Sequence, residues 1–391
     1  MTLVDHSADL RRLIEEGYDL EIRDGNLLVH HVPYVNAQGQ VDYCILVSEL
    51  TTNGESTLAP ELHTIWVVGG VPHDHQGNVV LVVHDFRGHD FGGGLVASCG
   101  MSGKPKGRMP VDYHEKISNY VNILSGYARF LDSSATHTNY PPRETTVDES
   151  VFRYHDAATS RSGLSAVTAK LRLSKVAIVG LGGTGSYILD LVSKTPVAEL
   201  HLYDDDVLYA HNAFRSPGAA SLEELKEMPH KVDYLFKKYD PIRKGVYPHT
   251  IRVDASNIEE LREMAFVFLA MDAGEGKRTI IEKLIEWEIS FVDCGMGIQR
   301  NENSLRGVVR VTTGVKGRYD HIPSRVSYGE VTDNEYDWNI QTADLNMLNA
   351  VMAVMKWKKL FGYYVDTKEE CNSTFVVARN VLNSGDMPSE T

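Results

Sequence analysis

The sequence predicts an α/β fold: a doubly wound, mainly parallel sheet with a separate α+β domain ahead of it. Three observations predict it. The stretch from Lys175 to Asp206 reads KVAIVGLGGTGSYILDLVSKTPVAELHLYDDD. That is an apolar strand, a glycine turn, an apolar-periodic helix, a second apolar strand and an acidic cluster. Beyond it, short apolar runs alternate with helical patterns as far as Phe361, the spacing of parallel strands joined by crossover helices. Ahead of it, strand-like runs bounded by Gly, Pro or Asn are closed by one long amphipathic pattern.

The N-terminal domain is read as residues 1–132. Asp9–Glu16 is a helix with Leu10, Leu13 and Ile14 on one face, and YDLEIRDGNLLVHHVPYV is a hairpin around Asp24-Gly25. VDYCILVSEL, HTIWVVGG and NVVLVVHDF are further strands, and Tyr113–Leu131 is a helix striped by Val121, Ile123, Leu124, Tyr127 and Leu131. Residues 133–150, with Pro141-Pro142 and clustered Ser/Thr, form an exposed linker to the second domain, 151–391. Histidines are dense in the first domain. His73, His75, His84 and His89 bracket a hairpin, yet they lack the paired spacing of a strong metal site and are read as hydrogen-bonding side chains. Cys99 in VASCGMSG is read as a structural thiol rather than a nucleophile, since no base lies near it in sequence.

In the second domain Val176, Ala177, Ile178 and Val179 form a run suited to a strand buried on both faces. Gly180, Gly182, Gly183 and Gly185 let the chain turn and let a phosphate approach the amides of a helix N-terminus. Asp204 ends the next strand, where a carboxylate can bond a ribose hydroxyl. Leu164–Leu173 leads in as a helix. Ser221–Tyr239 is a helix opened by the capping box Ser221/Glu224. Strands follow at Tyr247–Val253, Ala265–Met271 and ISFVDCG, with helices at Asn257–Met264 and Lys277–Glu288. GVVRVTT is an antiparallel strand, Val315–Asn339 a polar excursion, and Thr342–Phe361 a closing helix.

The totals narrow the class. The chain has 391 residues, 42% hydrophobic and 24% charged, the content of a globular protein of two domains. No apolar run reaches the ~18–20 residues of a membrane span, and the N-terminus lacks a signal-peptide core, so a cytoplasmic protein is expected, with no membrane. A net charge of −14 argues against nucleic acid and leaves room for a basic protein partner. Cys44, Cys99, Cys294 and Cys371 are never in C-x-x-C pairs, which suggests neither a disulfide framework nor a zinc ribbon.

The glycine fingerprint by itself does not separate a dehydrogenase from an ATP-using enzyme. The residues after it do. GLGGTGS, the block LYDDDVLYAHNAFRS with its aspartates, asparagine and arginine in the family's order and spacing, a lysine further on, and AMDAGEGKR at a strand end resemble the superfamily of ubiquitin-activating enzymes and ThiF/MoeB adenylyltransferases. The resemblance covers about Arg153–Tyr364 and implies a Rossmann-like adenylation domain using ATP and Mg²⁺. By it, Gly180, Gly182, Gly183 and Gly185 lie against ATP, Asp204 bonds the ribose and Asp206 orients polar neighbours. Asn212, Arg215 and Lys231 hold the phosphates, and Asp272 holds Mg²⁺. The residue-level alternatives are a solvated Asp205, a surface Lys231 and a helix N-cap at Asp272. The implied reaction is attack of the C-terminal carboxylate of a ubiquitin-like protein with a Gly-Gly tail on the α-phosphorus of ATP. A homodimer is implied too, with Arg153 entering the partner's site and Arg161 as its competitor.

Two features depart from the family pattern. The two structural C-x-x-C pairs are missing, and Val315–Asn339, where a thioester cysteine usually lies, has no cysteine. If a thioester forms, Cys371 in DTKEECNST is the first candidate and Cys294 in FVDCGMG the second. Glu369 and Glu370 beside Cys371 count against it. The N-terminal domain, through EEGYDLEIRDGNLLVHHVPYV and DYHEKISNYVNIL, resembles a module fused ahead of ThiF-type domains in bacterial ubiquitin-like conjugation clusters. That resemblance implies a pathway with its own modifier and conjugating enzyme, with antiviral defence as a role, and the domain as the site binding one of them. Sulfur-carrier activation is the second enzymatic reading, and a non-catalytic nucleotide-binding scaffold is the reading from another class.

Overall fold

The computed structural model describes residues 3–142, 150–329 and 340–388. The chain forms two compact units, one of Met1–Glu149 with Tyr154–Leu164, the other of Ser150–Arg153 with Ser165–Thr391. Tyr154–Leu164 therefore packs with the first unit, beyond the boundary read from the sequence.

In the first unit the strands are β1 (Asp19–Arg23), β2 (Asn26–Val35), β3 (Val41–Glu49), β4 (Ile65–Val68), β5 (Val83–Asp85), β6 (His89–Asp90), β7 (Val96–Ala97) and β8 (Cys99–Met101). Six of them make an antiparallel sheet in the order β1-β2-β3-β4-β8-β5. The β1–β2 turn is the expected one, with Asp24 and Gly25 both at positive φ (49° and 75°). The helix Tyr113–Leu131 covers one face, opened by the Asp112 carboxylate accepting the Glu115 amide at 2.7 Å. Ile117, Tyr120, Val121 and Leu124 pack with Leu27, Val29 and Leu46 and with Leu10 and Leu13 of the helix Ala8–Glu15. NVVLVVHDF is mostly not strand: only Val83–Asp85 forms one, Val79 makes a single bridge to His73, and Leu81 is 99% exposed. The start of the expected linker is also corrected. Ala135 is buried, the His137 ring lies 4.7 Å from the Tyr18 ring at a tilt, and Asn139 donates to the Gly17 carbonyl. Residues 143–149 of that linker lie outside the described residues.

The second unit holds β9 (Lys175–Val179), β10 (Glu199–Tyr203), β11 (Val246–His249), β12 (Phe266–Leu269), β13 (Phe291–Asn301), β14 (Ser304–Gly314), β15 (Asn372–Val376) and β16 (Val381–Gly385). They lie in the order β11-β10-β9-β12-β13-β14-β15-β16. Pairs from β11 to β13 are parallel and those from β13 outward antiparallel. Val176 and Ile178 pack with the helices Gly183–Val192, Lys231–Tyr239 and Ala343–Leu360, whereas Ala177 and Val179 pack with Glu275–Glu286. Burial on both faces explains the unbroken apolar run. The chain winds outward through β10 and β11, then returns to the other side of β9 with β12. That reversal opens a crevice beyond the carboxyl ends of β9 and β12.

Two second-unit expectations need correction. Ser221–Tyr239 is two helices, Leu222–Lys226 and Lys231–Tyr239, because Pro229 lacks an amide and Met228 turns to φ 46°; the Ser221/Glu224 capping box is present. Leu164–Leu173 is a short helix, Ser165–Thr168, followed by a tighter turn, Ala169–Leu171. The β15–β16 hairpin was not anticipated. Of the polar excursion Val315–Asn339, residues 330–339 lie outside the described residues.

One buried charge yields a prediction. Lys116, 1% exposed, meets the Ser48 hydroxyl at 2.8 Å, and burial pushes its pKa down to about 8 against the pull of Glu49. The fold favours the neutral amine, so its penalty is complete below pH ~8 and fades as pH rises toward the ordinary lysine value of 10.5. Lys116→Met should raise the unfolding free energy by roughly 3 kcal/mol at pH 7 and by progressively less above pH 8 in urea titrations. A substitution that destabilises at pH 7 contradicts this.

Candidate active site

The crevice is a cavity of about 570 Å³. Its floor is the glycine turn. Gly180 sits at φ +88°, and a Cβ there would lie 2.6 Å from the Ala270 carbonyl. A Cβ on Gly185 would collide with the Gly180 carbonyl, so this glycine lets the helix close on the strand. Gly182, the N-cap of the helix Gly183–Val192, faces open space, and a Cβ on Gly183 would strike the Asn346 amide. The four glycines thus divide the work: Gly180 and Gly185 shape the turn, Gly183 admits the closing helix, and Gly182 leaves the helix N-terminus accessible.

The acidic cluster holds this turn in place. Asp204 accepts the Leu181 amide at 2.6 Å and the Asp206 amide at 2.9 Å. Lys231 begins the helix Lys231–Tyr239 and is buried; its ammonium lies 2.5 Å from Asp206 and 3.4 Å from Asp204. It is a fixed charge at the cavity wall rather than a surface lysine. Asp205 is exposed. Asp204, Asp205 and Asp206 are the one group of His, Cys, Asp or Glu ligand atoms near enough to share an ion among the described residues. His73, His75, His84 and His89 do not gather there: His89 stacks on Trp66 and His75 on Tyr127.

Arg215 also lines the cavity. It is half-buried, its Nε is buried without a hydrogen-bond partner, and desolvation lowers its pKa while Asp272 raises it. Asp272 follows β12 into the cavity, and the N-cap of the next helix is Gly274 rather than Asp272. Asn212 is buried but spends its side-chain carbonyl on the Tyr209 amide at 2.8 Å, and it is not among the cavity-lining residues. Its placement is structural, and it holds the turn that carries Arg215.

Sequence reasoning missed the far wall. Asp293 on β13 is fully buried, with the Lys277 ammonium at 2.9 Å and the Arg310 guanidinium at 2.6 Å. Arg310 lies across Gly295, where a Cβ would come 2.5 Å from Nη2, and donates to Thr312 Oγ1 at 2.6 Å. Asn349 of the closing helix donates to the Gly295 carbonyl at 3.1 Å, and its own carbonyl oxygen is buried and unpartnered. The only sequence signal for this wall was the Gly295-Met-Gly297 strand end.

Other candidates fall outside the cavity or are spent. Arg153 donates to Asp240 Oδ1 at 2.6 Å and to its carbonyl at 2.5 Å within its own chain. The Arg161 side chain lies outside the described residues. Cys294 lines the cavity, but burial pushes its pKa up to about 12, which keeps it a thiol. Cys371 leads into β15, is 2% exposed, and burial raises its pKa. Cys99 is fully buried, and burial raises its pKa as well.

Against known proteins, residues 157–381 match the ThiF family, and the chain belongs to that family. Residues 8–157 match a domain of unknown function, DUF6791. The mouse (Mus musculus) ubiquitin-like modifier-activating enzyme 5 is 25% identical over 165 residues, 39% of this chain; the chain spans 40% of that relative's length. E. coli MccB superposes with a TM-score of 0.46 at 15% identity over 60% of this chain and 68% of that one. PaaA superposes with a TM-score of 0.44 at 17% identity over 57% of this chain and 67% of that one. Among the described residues no helix is long and apolar enough to cross a membrane.

A guanidinium held half-buried without a partner on Nε is poised for an anion at some expense to the empty fold. Arg215→Ala should therefore leave the thermal midpoint of the ligand-free chain unchanged or higher, while weakening inorganic pyrophosphate binding at least tenfold by calorimetry. A lower midpoint with unchanged pyrophosphate affinity contradicts the assignment.

Proposed function

We propose that the chain adenylates the C-terminal carboxylate of a ubiquitin-like protein, using ATP and Mg²⁺. The observation that carries this reading is Arg215: a desolvated guanidinium with an unpartnered Nε, lining the same cavity as Asp272 and the open helix N-terminus at Gly182. A hydride-transferring enzyme has no use for that set, whereas a triphosphate does. The name of the mouse relative points to a ubiquitin-like modifier as the substrate class.

The residues divide as follows. Amides at the Gly182 end of the helix and the Arg215 guanidinium take the phosphates, and Lys231 adds a cation already oriented by Asp206. Asp204 is bonded to the glycine turn through Leu181, so a ribose hydroxyl would share a carboxylate that is already positioned. Asp272 would hold Mg²⁺, which would neutralise phosphate charge; one or two protein carboxylates suit that ion. The tail carboxylate attacks the α-phosphorus, a new carboxyl–phosphorus bond forms, and the bond to the bridging oxygen breaks to release pyrophosphate. The enzyme's part is alignment and neutralisation of charge as it moves to the leaving group.

The partner reading also covers a Gly-Gly tail and a conjugating enzyme, a cytoplasmic setting in a bacterial modification pathway, and antiviral defence. To complete a partner's site in a homodimer, Arg153 would first have to release Asp240. Burial of Cys371 argues against a thioester there. ATP–pyrophosphate exchange tests the reading. Exchange should appear with a ubiquitin-like protein from the same gene cluster and fall about 10²-fold or more in Arg215→Ala and in Asp272→Asn. Exchange supported by a thiamin- or molybdopterin-type sulfur carrier instead favours that alternative; exchange with neither favours a nucleotide-binding scaffold.

A further inference from the structure

A second cavity, of about 210 Å³, lies against the C-terminal strands and shares no lining residue with the first. Its walls are mostly carbon, from Val311, Met352, Met355, Tyr364 and Leu382. Of the polar residues that interrupt them, two carry a buried oxygen without a partner. Glu370 is 6% exposed; its Oε1 takes the Lys359 ammonium at 3.1 Å, while Oε2 is buried with no hydrogen-bond partner. Thr313, 1% exposed, likewise has an unpartnered buried hydroxyl. Leaving two such groups unpaired is costly, and native folds rarely do it without a group that comes in to satisfy them. The surroundings are charge-balanced, since Lys356 and Lys359 pair with Asp366 and Glu370. A cation or an anion entering would upset that balance; a neutral group would not.

We propose that this cavity binds a small, uncharged, mainly apolar molecule carrying one hydrogen-bonding group that both donates and accepts, such as a hydroxyl. The Glu370 carboxylate accepts its proton, and the Thr313 hydroxyl is available to donate. The size agrees, since a cavity of about 150 Å³ already takes benzene. The buried Cys371 thiol forms part of the wall, which gives that residue a packing role at this site. The site stands independently of the adenylation reading.

Phenol and toluene are suitable probes, because they differ in the hydroxyl and little in shape. Calorimetry on the full chain, with methionine-methyl NMR, should show saturable phenol binding at least tenfold tighter than toluene, with the Met352 and Met355 methyls shifted. Thr313→Val keeps the shape and should cut the phenol preference at least threefold while leaving toluene unchanged. Met352→Trp should fill the space and abolish binding of both; Met355→Trp, at a side chain 44% exposed, serves if the first variant fails to fold. Equal affinity for the two probes, no saturation by phenol, or phenol binding unchanged in the filled variant overturns the proposal.

Discussion

The second unit depends on the carboxylate of Asp204. One of its oxygens takes the Leu181 amide at 2.6 Å, the other the Asp206 amide at 2.9 Å, and Lys231 lies at 3.4 Å. Through these contacts the end of β10 holds the glycine turn after β9 and the start of the helix Lys231–Tyr239. The turn alone could not hold its course, since Gly180 and Gly182 carry no side chain to anchor it. Asp204 is buried, with two backbone donors and a cation beside its carboxylate. The geometry of the cavity floor follows from that.

The far wall repeats the device with the sign arrangement reversed. Asp293 is buried between Lys277 and Arg310, two cations to one carboxylate. Together with Arg215 and Lys231, the cavity presents basic groups from elements far apart in sequence, within a chain whose net charge is −14. The same lining carries Asp204, Asp205, Asp206, Asp272 and Glu275, so cations and carboxylates are interspersed around the cavity. Family membership and the cavity's cations agree in pointing toward phosphate chemistry.

What was legible in the sequence was what is local. The βαβ unit could be read because an apolar strand, a glycine turn and a periodic helix each obey a short-range rule, and Lys175–Val179 and Gly183–Val192 are where those rules put them. Arg215, Lys231 and Asp272 came from a resemblance in spacing, and all three line the cavity. The Lys277–Asp293–Arg310 group was not legible, because it assembles a helix and two strands by register, and each residue alone looks ordinary. The Asn212 carbonyl caps a turn and the residue lies outside the cavity lining, a placement that spacing does not reveal. The Pro229 break was visible but was overridden by a strong capping box upstream. The β15–β16 hairpin was missed because its turn uses Asn380 at φ 49° without a following glycine.

A crystal structure of the full chain with a non-hydrolysable ATP analogue and magnesium tests the central claim most directly. The account predicts the triphosphate in the cavity between Gly182 and Asp272, with a phosphate oxygen within hydrogen-bond distance of Arg215 Nε and the Asp204–Leu181 contact intact. A triphosphate bound elsewhere, or one that leaves Arg215 Nε unpartnered, would contradict it.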